Sequence, residues 1–578
     1  MKKVLTHTDI YEKWLSYTGI DADTKAELES IKNNEDEIKL RFRGNMEFGT
    51  AGLRGIMCAG QSCINTYTIA HATQGLANLI IDEDKCERGV AIAYDSRNNS
   101  ALYAKISASV LCANGIKVYI FDALRPTPEL SFAVRELKCI AGINITASHN
   151  PKQYNGYKVY WEDGAQLSPV HAGAVSKYIE SIDIFEDVKT TDFDCAVKDG
   201  RITVVGEELD RAFMKNVLAQ AVNPEVVGAV ADDLKIVYTP LHGAGHKLVP
   251  EALRAIGLKN LVEVPEQMII DGDFPTVAKP NPELADAFTL GIELAEKVGS
   301  DLVVATDPDC DRVGVMSRDK DGKFVRITGN QMGALLLDYI ITAYKEKGGV
   351  PADAYAVKTI VSTEMVAEIC KQNNVKLYNV LTGFKFIGEV IKNSEKTGVG
   401  TYLLGFEESY GYLKGTYARD KDAVCASMLI GEMTAYYKKK NMTLSTALDA
   451  LYEKYGYYRE GVEDIYMEGL DGIARRTRIM ENLRKNTPVT IGGVKVISVG
   501  DYITQTITEL ASGKTEPTGL PKSDVLRYEL ENGDIAVVRP SGTEPKIKMY
   551  FLASAKTKEA LDAQVDKYLS RYTELLCD

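Results

Sequence analysis

The sequence predicts an α/β protein with largely parallel sheets, followed by a smaller α+β domain at the C-terminal end. Short apolar runs of β-forming residues alternate with longer segments of helical periodicity over most of the chain, which is typical of β-α-β units. Near the C-terminus, several strand-like runs follow one another, and one amphipathic segment closes the chain. With 578 residues, the chain is long enough for about three to five domains of roughly 100–200 residues each.

The N-terminal part contains the first alternating elements. Residues 21–43 have a helical pattern and lead into a glycine-rich turn at 48–55, FGTAGLRG. Strands are predicted at 89–96, 117–123 and 141–148, and helical segments such as NSALYAKISASVLCANG separate them. This order predicts parallel strand pairing in this part of the chain.

Two further α/β stretches and a different C-terminal region follow. The stretch from about 205 to 325 contains the strand-like runs LKIVYTP and DLVVATD, and the stretch 326–450 contains AYAVKTIV and GTYLLGFE. In the C-terminal region, Asn532-Gly533 stands between VLRYEL and IAVVRP and predicts a β-hairpin. KIKMYFLA is the next predicted strand, and TKEALDAQVDKYLSRYTELL is the closing helix.

The composition argues against several classes of function. Lys and Arg number 68 and Asp and Glu number 81, and the resulting net charge of −13 argues against a general nucleic-acid or anionic-membrane binder. The N-terminus has no apolar signal region, and no uncharged apolar stretch reaches the ~18–20 residues of a membrane span. The ten cysteines include no CxxC pair, which predicts reduced thiols and a cytoplasmic location. The expected partners are small molecules, and a monomer is the default expectation.

The loop after the strand AGINITA reads TASHNP, residues 146–151. A polar, proline-terminated loop directly after an apolar strand places Ser148 at the carboxyl edge of a parallel sheet, where open α/β folds bind their ligands. The alternative is a turn whose serine and asparagine only satisfy backbone groups. A hydrolase nucleophile elbow is not supported, because the surrounding residues do not form G-x-S-x-G.

An acidic loop follows the strand DLVVAT and contains Asp307, Asp309, Asp311 and Arg312. Three carboxylates at alternating positions can converge on one hard divalent cation, and oxygen-only ligation favours magnesium or manganese over zinc. A helix-loop-helix calcium site is excluded, because its sixth position requires glycine and is Arg312 here. A solvated acidic turn is the alternative, but a metal beside an arginine suits a phosphate ligand better.

Two more loops offer groups for a sugar phosphate. RPSGTEPK, at 539–546, combines an arginine, two hydroxyls, a lysine and a glycine that can bring backbone N–H groups close, which suits a phosphate cradle. GFEESYG, at 405–411, follows the apolar strand TYLL, and its acidic and hydroxyl side chains suit hydrogen bonds to sugar hydroxyls. The alternatives are a connector between strands and a surface turn. Arg54 and Lys158, near glycine-containing turns, are weaker candidates that could also be solvated surface charges.

Together, the four loops resemble the motifs of the alpha-D-phosphohexomutase superfamily, in the family's order and over nearly the whole chain. TASHNP is similar to its phosphoserine loop, DPDCDR to its metal loop, GFEESYG to its sugar loop and RPSGTEPKIK to its phosphate loop. The resemblance implies three similar mixed α/β domains and a C-terminal α+β domain, similar to the TATA-binding protein, around a central cleft. We expect these domains at 1–205, 206–325, 326–450 and 451–578.

Within the superfamily, the chain is most similar to the long bacterial phosphoglucomutase group. TGFKF, which begins at Thr382, resembles the TGWKF segment of phosphoglucomutases, and EESYG is close to their EESFG. Dual-specificity phosphomannomutase/phosphoglucomutases carry a histidine in each of these places, which this chain lacks. The loop SGTEPKIK departs from the pattern, because it resembles phosphoglucosamine and phosphomannose enzymes more than animal phosphoglucomutases.

The resemblance implies an isomerase, an intramolecular phosphotransferase that interconverts glucose 1-phosphate and glucose 6-phosphate through a phosphoserine and glucose 1,6-bisphosphate. Ser148 would carry the phosphoryl group and bind Mg²⁺ together with the three aspartates. His149, Lys158 and Arg54 are the candidates for general acid and base. The resemblance, together with the charges expected in the cleft, also assigns substrate binding to Arg312, Thr382, Gly383, Lys385, Glu407, Ser409, Arg419, Lys421, Arg539, Ser541, Gly542, Thr543 and Lys546.

Other activities on the same fold stay open at this point, namely phosphopentomutase, phosphomannomutase and glucose 1,6-bisphosphate synthase. An inactive sugar-phosphate-binding protein is the alternative from another class. The intact Ser148 and aspartates argue against it, because a binding module has no need of a phosphorylatable serine beside a metal site. A simple phosphatase would require water to reach the phosphoserine.

Overall fold

The chain divides into two units, each built from segments that are distant in the sequence. In the computed structural model, the described residues are 5–49, 52–467, 469–541 and 546–576. The first unit comprises Met1–Met316 and Gly415–Glu432, and the second comprises Ser317–Lys414 and Met433–Asp578. Mixed α/β sheets in both units and a strand-rich C-terminal region confirm the predicted fold class.

Three short helices precede the first sheet: α1 (His7–Ser16), α2 (Ala22–Ser30) and α3 (Glu35–Arg41). The continuous helix predicted over 21–43 is wrong, because the chain leaves the helical conformation at 31–34. The side chain of Asn34 accepts a hydrogen bond from the N–H of Glu37 and so caps a new helix.

The first sheet contains six strands: β1 (Leu53–Ile56), β2 (Val90–Tyr94), β3 (Val118–Phe121), β4 (Ala141–Ile145), β5 (Tyr154–Trp161) and β6 (Ile202–Val205). Their order is β1-β5-β4-β2-β3-β6. Strands β4, β2 and β3 are parallel, as predicted, and β6, which the sequence does not predict, is parallel to β3. Strand β5 is antiparallel to both β4 and β1. All five residues of β4 are buried, as expected for an interior parallel strand. The helices of this segment are α4 (Thr66–Asp82), α5 (Ser100–Ala113), α6 (Thr127–Glu136), α7 (Pro169–Ser181), α8 (Phe193–Lys198) and α9 (Glu207–Leu218).

The second sheet includes the strands β7 (Lys235–Thr239), β8 (Asn260–Glu263), β9 (Leu302–Thr306) and β10 (Val313–Arg318), of which only the last two residues of β10 lie outside the first unit. Here β10 neighbours β9, and β7 is parallel to both β9 and β8. The acidic loop begins directly after β9, so the carboxyl end of this buried strand carries the predicted metal site. The helices are α10 (Glu225–Val230), α11 (Gly245–Ala255), α12 (Pro265–Met268) and α13 (Thr289–Val298).

The second unit contains a smaller mixed sheet. After β11 (Phe324–Ile327), its strands are β12 (Ala354–Thr359), β13 (Lys376–Val380), β14 (Thr401–Glu407) and β15 (Gly411–Leu413). Strand β12 is parallel to β13 and β14, and β15 turns back antiparallel to β14. The accompanying helices are α14 (Gly329–Glu346), α15 (Met365–Gln372), α16 (Phe384–Thr397), α17 (Ala423–Lys439), which contains residues of both units, and α18 (Leu444–Tyr455).

The C-terminal region forms an eight-stranded sheet: β16 (Tyr457–Tyr466), β17 (Thr490–Ile491), β18 (Val494–Asp501), β19 (Thr506–Glu509), β20 (Thr515–Pro517), β21 (Leu526–Leu530), β22 (Ile535–Pro540) and β23 (Lys546–Ala555). Its helices are α19 (Gly469–Lys485) and α20 (Lys558–Ser570). The predicted hairpin joins β21 and β22, and Gly533 in its turn has a φ of +88°, a value that favours glycine. Within the described ranges, no helix is both long and apolar enough to cross a membrane.

Cysteine pairing differs from the expectation of reduced thiols. Cys58 and Cys63 are joined by a disulfide whose Cα atoms are 5.6 Å apart, in the turn between β1 and α4. The sequence does not predict this pair, because a spacing of five residues matches neither a CxxC motif nor a disulfide framework. The free cysteines of the described chain are Cys86, Cys112, Cys139, Cys195, Cys310, Cys370 and Cys425.

A separate hydrophobic cluster attaches the N-terminal helices to the first unit. Trp14 of α1 is completely buried, and its ring contacts Phe42, Tyr67 and Phe185 edge to face. Its indole N–H donates a hydrogen bond to Oε1 of Gln61 at 3.2 Å. Because Gln61 lies in the turn that contains the disulfide, the indole connects α1 both to the cluster and to this turn.

We expect Trp14→Ala to lower the free energy of unfolding by about 3–5 kcal/mol, because a large buried ring is replaced by a cavity. Equilibrium denaturation followed by circular dichroism measures this loss. The control is Leu5→Ala, since Leu5 is half exposed and its truncation should change the free energy by less than about 0.5 kcal/mol. Equal stability of the two variants would contradict the assignment of Trp14 to a core.

Candidate active site

Ser148 lies in the loop between β4 and β5, at the carboxyl end of β4, as the sequence predicts. The residue is 3% exposed, and its Oγ donates a hydrogen bond to Oδ2 of Asp307 at 2.7 Å. Its backbone N–H donates to Oγ1 of Thr146 at 2.8 Å. The serine hydroxyl therefore points toward the acidic loop that follows β9.

The acidic loop brings its three carboxylates together, as predicted. Asp307, Asp309 and Asp311 are buried, and one oxygen of each lies within 4.8 Å of the others. Oδ1 of Asp307 accepts hydrogen bonds from the N–H groups of Asp311 and Arg312, at 3.1 and 3.0 Å. In contrast, the buried Oδ1 atoms of Asp309 and Asp311 accept no hydrogen bond within the described chain. Buried carboxylate oxygens without donors fit a hard divalent cation, with the Ser148 oxygen close enough to be a further ligand.

Burial and mutual repulsion determine the protonation of these carboxyls. Burial raises the pKa of Asp307 well above its usual range, and the charges of Asp309 and Asp311 raise it further. Burial also opposes the ionisation of Asp309, but Lys158 at 2.7 Å holds the pKa of Asp309 below its usual range. Oγ1 of Thr127 adds a hydrogen bond to Asp309 at 2.9 Å. A bound divalent cation would let all three carboxyls ionise together.

Two buried lysines flank the carboxylates. Nζ of Lys158, in β5, lies 2.7 Å from Asp309 and 3.7 Å from Asp311. Nζ of Lys421 lies 3.2 Å from Asp311 and 2.9 Å from Asp420. Both lysines are less than a tenth exposed, so Lys158 is not a solvated surface charge. They supply local positive charge in a chain that is acidic overall.

Three supporting residues are not among those predicted from the sequence. Oη of Tyr160 donates a hydrogen bond to Asp420 at 2.8 Å, and Asp420 in turn pairs with Lys421. Thr127 follows β3 by a few residues, so the rule that ligands meet the carboxyl ends of strands would have indicated it. Tyr160 lies inside a strand, where no local signal distinguishes it from a core residue.

His149 contacts Ser148, and Arg54 contacts the same loop at Asn150. Nδ1 of His149 is 3.2 Å from Oγ of Ser148. Burial lowers the pKa of His149 well below its usual value, and the guanidinium groups of Arg312 and Arg54 lower it further. The imidazole is therefore neutral at neutral pH. Arg54 lies in strand β1 rather than in a turn, and its Nη1 donates a hydrogen bond to Oδ1 of Asn150 at 3.3 Å.

Two arginines predicted to bind substrate have protein partners in this structure. Arg312 forms an ion pair with Glu283. Arg419 is 1% exposed, and its Nη1 donates hydrogen bonds to the carbonyl groups of Thr416 and Ala418, at 2.5 and 3.0 Å. These contacts favour a structural role for Arg419 in the segment before α17, and its contact with substrate stays a prediction.

In the second unit, Glu407 connects the predicted sugar loop to the segment before α16. Glu407 ends β14 and is 5% exposed, and its Oε1 accepts a hydrogen bond from the N–H of Gly383 at 2.7 Å. Gly383 has a φ of +121°, where a side chain would be unfavourable. The structure thus brings Glu407 together with the TGFKF segment, and both Thr382 and Ser409 are half-buried.

Lys385 lies in the first turn of α16, beside the ring of Phe386. Burial lowers the pKa of Lys385 to about 8, and the charge of Glu389 opposes this shift. The amine is therefore mostly protonated at neutral pH and is half deprotonated near pH 8. Its attraction for an anion will change over the same range.

The predicted phosphate loop is described at its two ends. Arg539 lies near the end of β22, and the N–H of Ser541 donates a hydrogen bond to the carbonyl of Lys546 at 2.8 Å, which closes the loop. Lys546 is 4% exposed, and its Nζ lies 2.7 Å from Oδ2 of Asp464. Two residues predicted to bind phosphate lie outside the described residues: Gly542 and Thr543.

Comparison with known protein families gives matches along most of the chain. The phosphoglucomutase/phosphomannomutase family matches by its alpha/beta/alpha domain I at 45–185, domain II at 211–322, domain III at 328–455 and C-terminal domain at 494–568. A phosphoglucomutase of Staphylococcus saprophyticus is 37% identical over 533 residues, which are 92% of this chain and 95% of that protein. A phosphoglucomutase of Staphylococcus aureus is 38% identical over 516 residues, 88% of this chain and 90% of that protein.

Solved structures share the fold at lower identity. A phosphoglucomutase/phosphomannomutase family protein from Burkholderia thailandensis aligns with a TM-score of 0.63 and 18% identity, over 92% of this chain and 97% of that chain. The open form of pp63/parafusin from Paramecium, described as a phosphoglucomutase, aligns with a TM-score of 0.66 and 18% identity, over 92% and 95% of the two chains.

We expect the amine of Lys385 to titrate near pH 8, because burial disfavours its charged form. Competitive acetylation followed by peptide mass spectrometry should show its labelling rise through about pH 8, whereas ordinary lysines require a pH near 10.4. The control is Glu389→Gln, which should move the midpoint lower because it removes the opposing charge. A midpoint for Lys385 near 10.4 would contradict this environment.

Proposed function

The chain belongs to the phosphoglucomutase/phosphomannomutase family, and we propose that it is an isomerase that interconverts α-D-glucose 1-phosphate and glucose 6-phosphate. One observation carries this proposal: the hydroxyl of Ser148 contacts a buried cluster of three carboxylates. A serine beside a divalent-cation site suits phosphoryl transfer through a phosphoserine. Glucose is supported by the phosphoglucomutases that are 37% and 38% identical to this chain.

Ser148 donates a phosphoryl group to one hydroxyl of the sugar and then accepts the phosphoryl group from the other position. In the first step, the O–P bond of phosphoserine breaks while the oxygen of a sugar hydroxyl bonds to phosphorus, which gives glucose 1,6-bisphosphate. In the second step, the other phosphoryl group of the bisphosphate returns to Ser148 and releases the isomer. The proton of the sugar hydroxyl is balanced by the proton that Oγ of Ser148 gains when it loses phosphate.

His149 is the best placed of the three predicted acid–base candidates to exchange a proton with Ser148. Its Nδ1 lies 3.2 Å from the serine Oγ, and its lowered pKa keeps the imidazole neutral, which leaves a ring nitrogen as a proton acceptor but makes it a weak base. Arg54 stays protonated at all relevant pH values, so it cannot act as a base. Lys158 forms an ion pair with Asp309 at 2.7 Å, which favours a role in neutralising the carboxylates.

Asp307, Asp309, Asp311 and the oxygen on Ser148 would hold Mg²⁺, because this donor set consists of oxygen alone and contains buried oxygens without donors. When bound, the cation would stabilise the charge of the transferring phosphoryl group. Lys158 keeps the pKa of Asp309 low and so keeps this ligand ionised.

The second unit supplies groups suited to the sugar and to the phosphate that is not transferred. Glu407 and Ser409 would bind the 3- and 4-hydroxyls, and Gly383 holds the Glu407 carboxylate by a backbone hydrogen bond. Arg539 and Lys546 would bind the phosphate, since guanidinium and ammonium groups pair well with it. The further phosphate and sugar ligands proposed from the sequence are Arg312, Thr382, Lys385, Arg419, Lys421, Ser541, Gly542 and Thr543.

Several narrower expectations stay predictions. They are the four domain boundaries, the monomeric state, the cytoplasmic location and the absence of nucleic-acid and membrane partners. Phosphopentomutase, phosphomannomutase and glucose 1,6-bisphosphate synthase activities are the alternatives on the same fold. Parallel rates on ribose 1-phosphate, mannose 1-phosphate and glucose 1-phosphate distinguish them.

We expect the protein to convert glucose 1-phosphate to glucose 6-phosphate with Mg²⁺ and catalytic glucose 1,6-bisphosphate. Ser148→Ala should lower the rate by more than about 1,000-fold, because the group that carries the phosphate is removed. A coupled assay with glucose 6-phosphate dehydrogenase measures both rates. EDTA should abolish the wild-type rate as well.

The matched control for this assay is Ser181→Ala, since Ser181 is exposed and its hydroxyl donates a hydrogen bond to the carbonyl of Tyr178 at 2.8 Å. Its rate should equal that of the wild type. No turnover of glucose 1-phosphate by the wild type would contradict the glucose assignment. Undiminished turnover by Ser148→Ala would contradict the phosphoserine mechanism.

We expect Mg²⁺ to stabilise the fold, by about 2.7 kcal/mol when its concentration is 100 times the Kd. The melting temperature of the wild type should rise with MgCl₂, and that of Asp309→Asn should not, because one ligand charge is lost. The control Asp319→Asn, in the turn between β10 and β11 and outside the cluster, should respond as the wild type does. An equal response of all three proteins would place the Mg²⁺ elsewhere.

A further inference from the structure

Arg97 is a buried arginine that the proposed reaction does not use. It is 3% exposed and lies in the turn between β2 and α5. Its guanidinium donates hydrogen bonds to carbonyls of the loop that carries the reactive serine, to Ser148 at 2.5 Å, Pro151 at 2.9 Å and Tyr154 at 3.0 Å. It also donates to the carbonyl of Asn150. One side chain therefore holds three carbonyl groups of the loop between β4 and β5 and a fourth, that of Tyr154, at the start of β5.

Asp95 connects Arg97 to the other side of the same serine. Its Oδ2 accepts a hydrogen bond from Oγ1 of Thr146 at 2.6 Å and lies 3.3 Å from Nε of Arg97. Its Oδ1 accepts hydrogen bonds from the N–H of Arg97 at 2.9 Å and from Oγ of Ser100 at 2.8 Å. Thr146 Oγ1 in turn accepts from the N–H of Ser148. One buried network thus holds both the N–H and the carbonyl of the serine.

This network acts on an unfavourable backbone conformation. Ser148 has a φ of +53°, in the left-handed region that residues with a Cβ rarely adopt. Such a conformation persists only where the surrounding structure enforces it. If the hydrogen bonds to its carbonyl were lost, the backbone could return to φ < 0, and the serine Oγ would leave Asp307.

We propose that Arg97 is a positioning residue that holds Ser148 in the left-handed conformation from which its Oγ exchanges the phosphoryl group. The inference deepens the proposed function, since it rests on Ser148 as the residue that is phosphorylated. A guanidinium suits this role because its five N–H donors point in fixed directions in one plane. The compact ammonium of lysine cannot reach four carbonyls at once. The ring of Phe274 packs against the guanidinium, with its centroid 5.1 Å from the guanidinium carbon.

The test compares Arg97→Lys with the matched control Arg125→Lys. Arg125 is also buried, and its guanidinium pairs with Asp210 at 2.7 Å and Asp122 at 3.0 Å. Both variants keep a positive charge and lose a buried guanidinium. General destabilisation should therefore affect the two alike, whereas the loss of loop positioning is specific to Arg97.

We expect Arg97→Lys to lower kcat for glucose 1-phosphate by about 100-fold, because a small displacement of the reacting oxygen is enough for such a loss. The KM should stay within about twofold of the wild type, since groups outside the serine loop bind the substrate. The rate at which glucose 1,6-bisphosphate phosphorylates Ser148, measured by intact-protein mass spectrometry, should fall in parallel. Arg125→Lys should keep the wild-type kcat and phosphorylation rate.

Chemical rescue distinguishes positioning from a general structural role. Arg97→Ala leaves a space where a free guanidinium ion can replace the side chain. Millimolar guanidinium chloride should restore at least about a tenth of the lost kcat, whereas equal urea, which has the shape but not the charge, should not. An Arg97→Ala protein that folds but is not rescued at any sub-denaturing concentration would count against the proposal.

Hydrogen exchange provides a readout that does not depend on the sugar. In Arg97→Lys, amides of the segment 147–155 should exchange at least about tenfold faster than in the wild type, and those of β9 and β10 should not change. Unchanged exchange in this segment, or an equal loss of kcat in both variants, would overturn the proposal. If Ser148 of the wild type is phosphorylated by glucose 1,6-bisphosphate but glucose 1-phosphate is not turned over, only the glucose assignment is contradicted. The phosphorylation rates of the variants would then still test the role of Arg97.

Discussion

Three carboxylates buried in one short loop are the electrostatic constraint on which the first unit depends. Removing an ion from water costs several kcal/mol even in a relaxed protein interior, and like charges side by side add to that cost. Lys158 and Lys421 offset the cost from two different segments, and Thr127 adds a hydroxyl from a third. The buried Oδ1 atoms of Asp309 and Asp311 accept no hydrogen bond within the described chain, so they suit a cation. The attraction between the carboxylates and these groups therefore holds together elements that are far apart in the sequence.

The parallel sheets explain how the serine and the carboxylates come together. Strands β4 and β9 belong to different sheets, yet each is buried along its length and ends in a polar loop. The hydroxyl of Ser148 and the carboxylate of Asp307 meet where these two loops touch. The second unit uses the same construction on a smaller scale, since Glu407 ends β14 and accepts a hydrogen bond from Gly383, which follows β13. In both units, strand ends position the polar groups while the strands themselves form the core.

Much of the fold and the main site loops are predictable because their signals are local. Apolar runs identify the interior strands, and the polar loops that follow them contain Ser148 and the aspartates. What the sequence does not reveal depends on partners distant in the chain. Asn34 interrupts a helical pattern that looks continuous, and the Cys58–Cys63 spacing matches no known framework. Tyr160 and Arg97 carry no motif, and their importance appears only when Asp420 and the serine loop lie beside them.

The attachment of the N-terminal helices affects how the first domain can be exchanged among relatives. The family match begins at residue 45, but α1–α3 lie before it and share a hydrophobic cluster with residues inside it. A chimera joined at residue 45 would lose Trp14 and would expose Tyr67 and Phe185 to water. It would also remove Glu27, which accepts a hydrogen bond from the N–H of Ala59 in the disulfide turn. The segment that must be transferred intact therefore begins earlier than the family match at residue 45. A chimera that preserves the fold should be joined before α1.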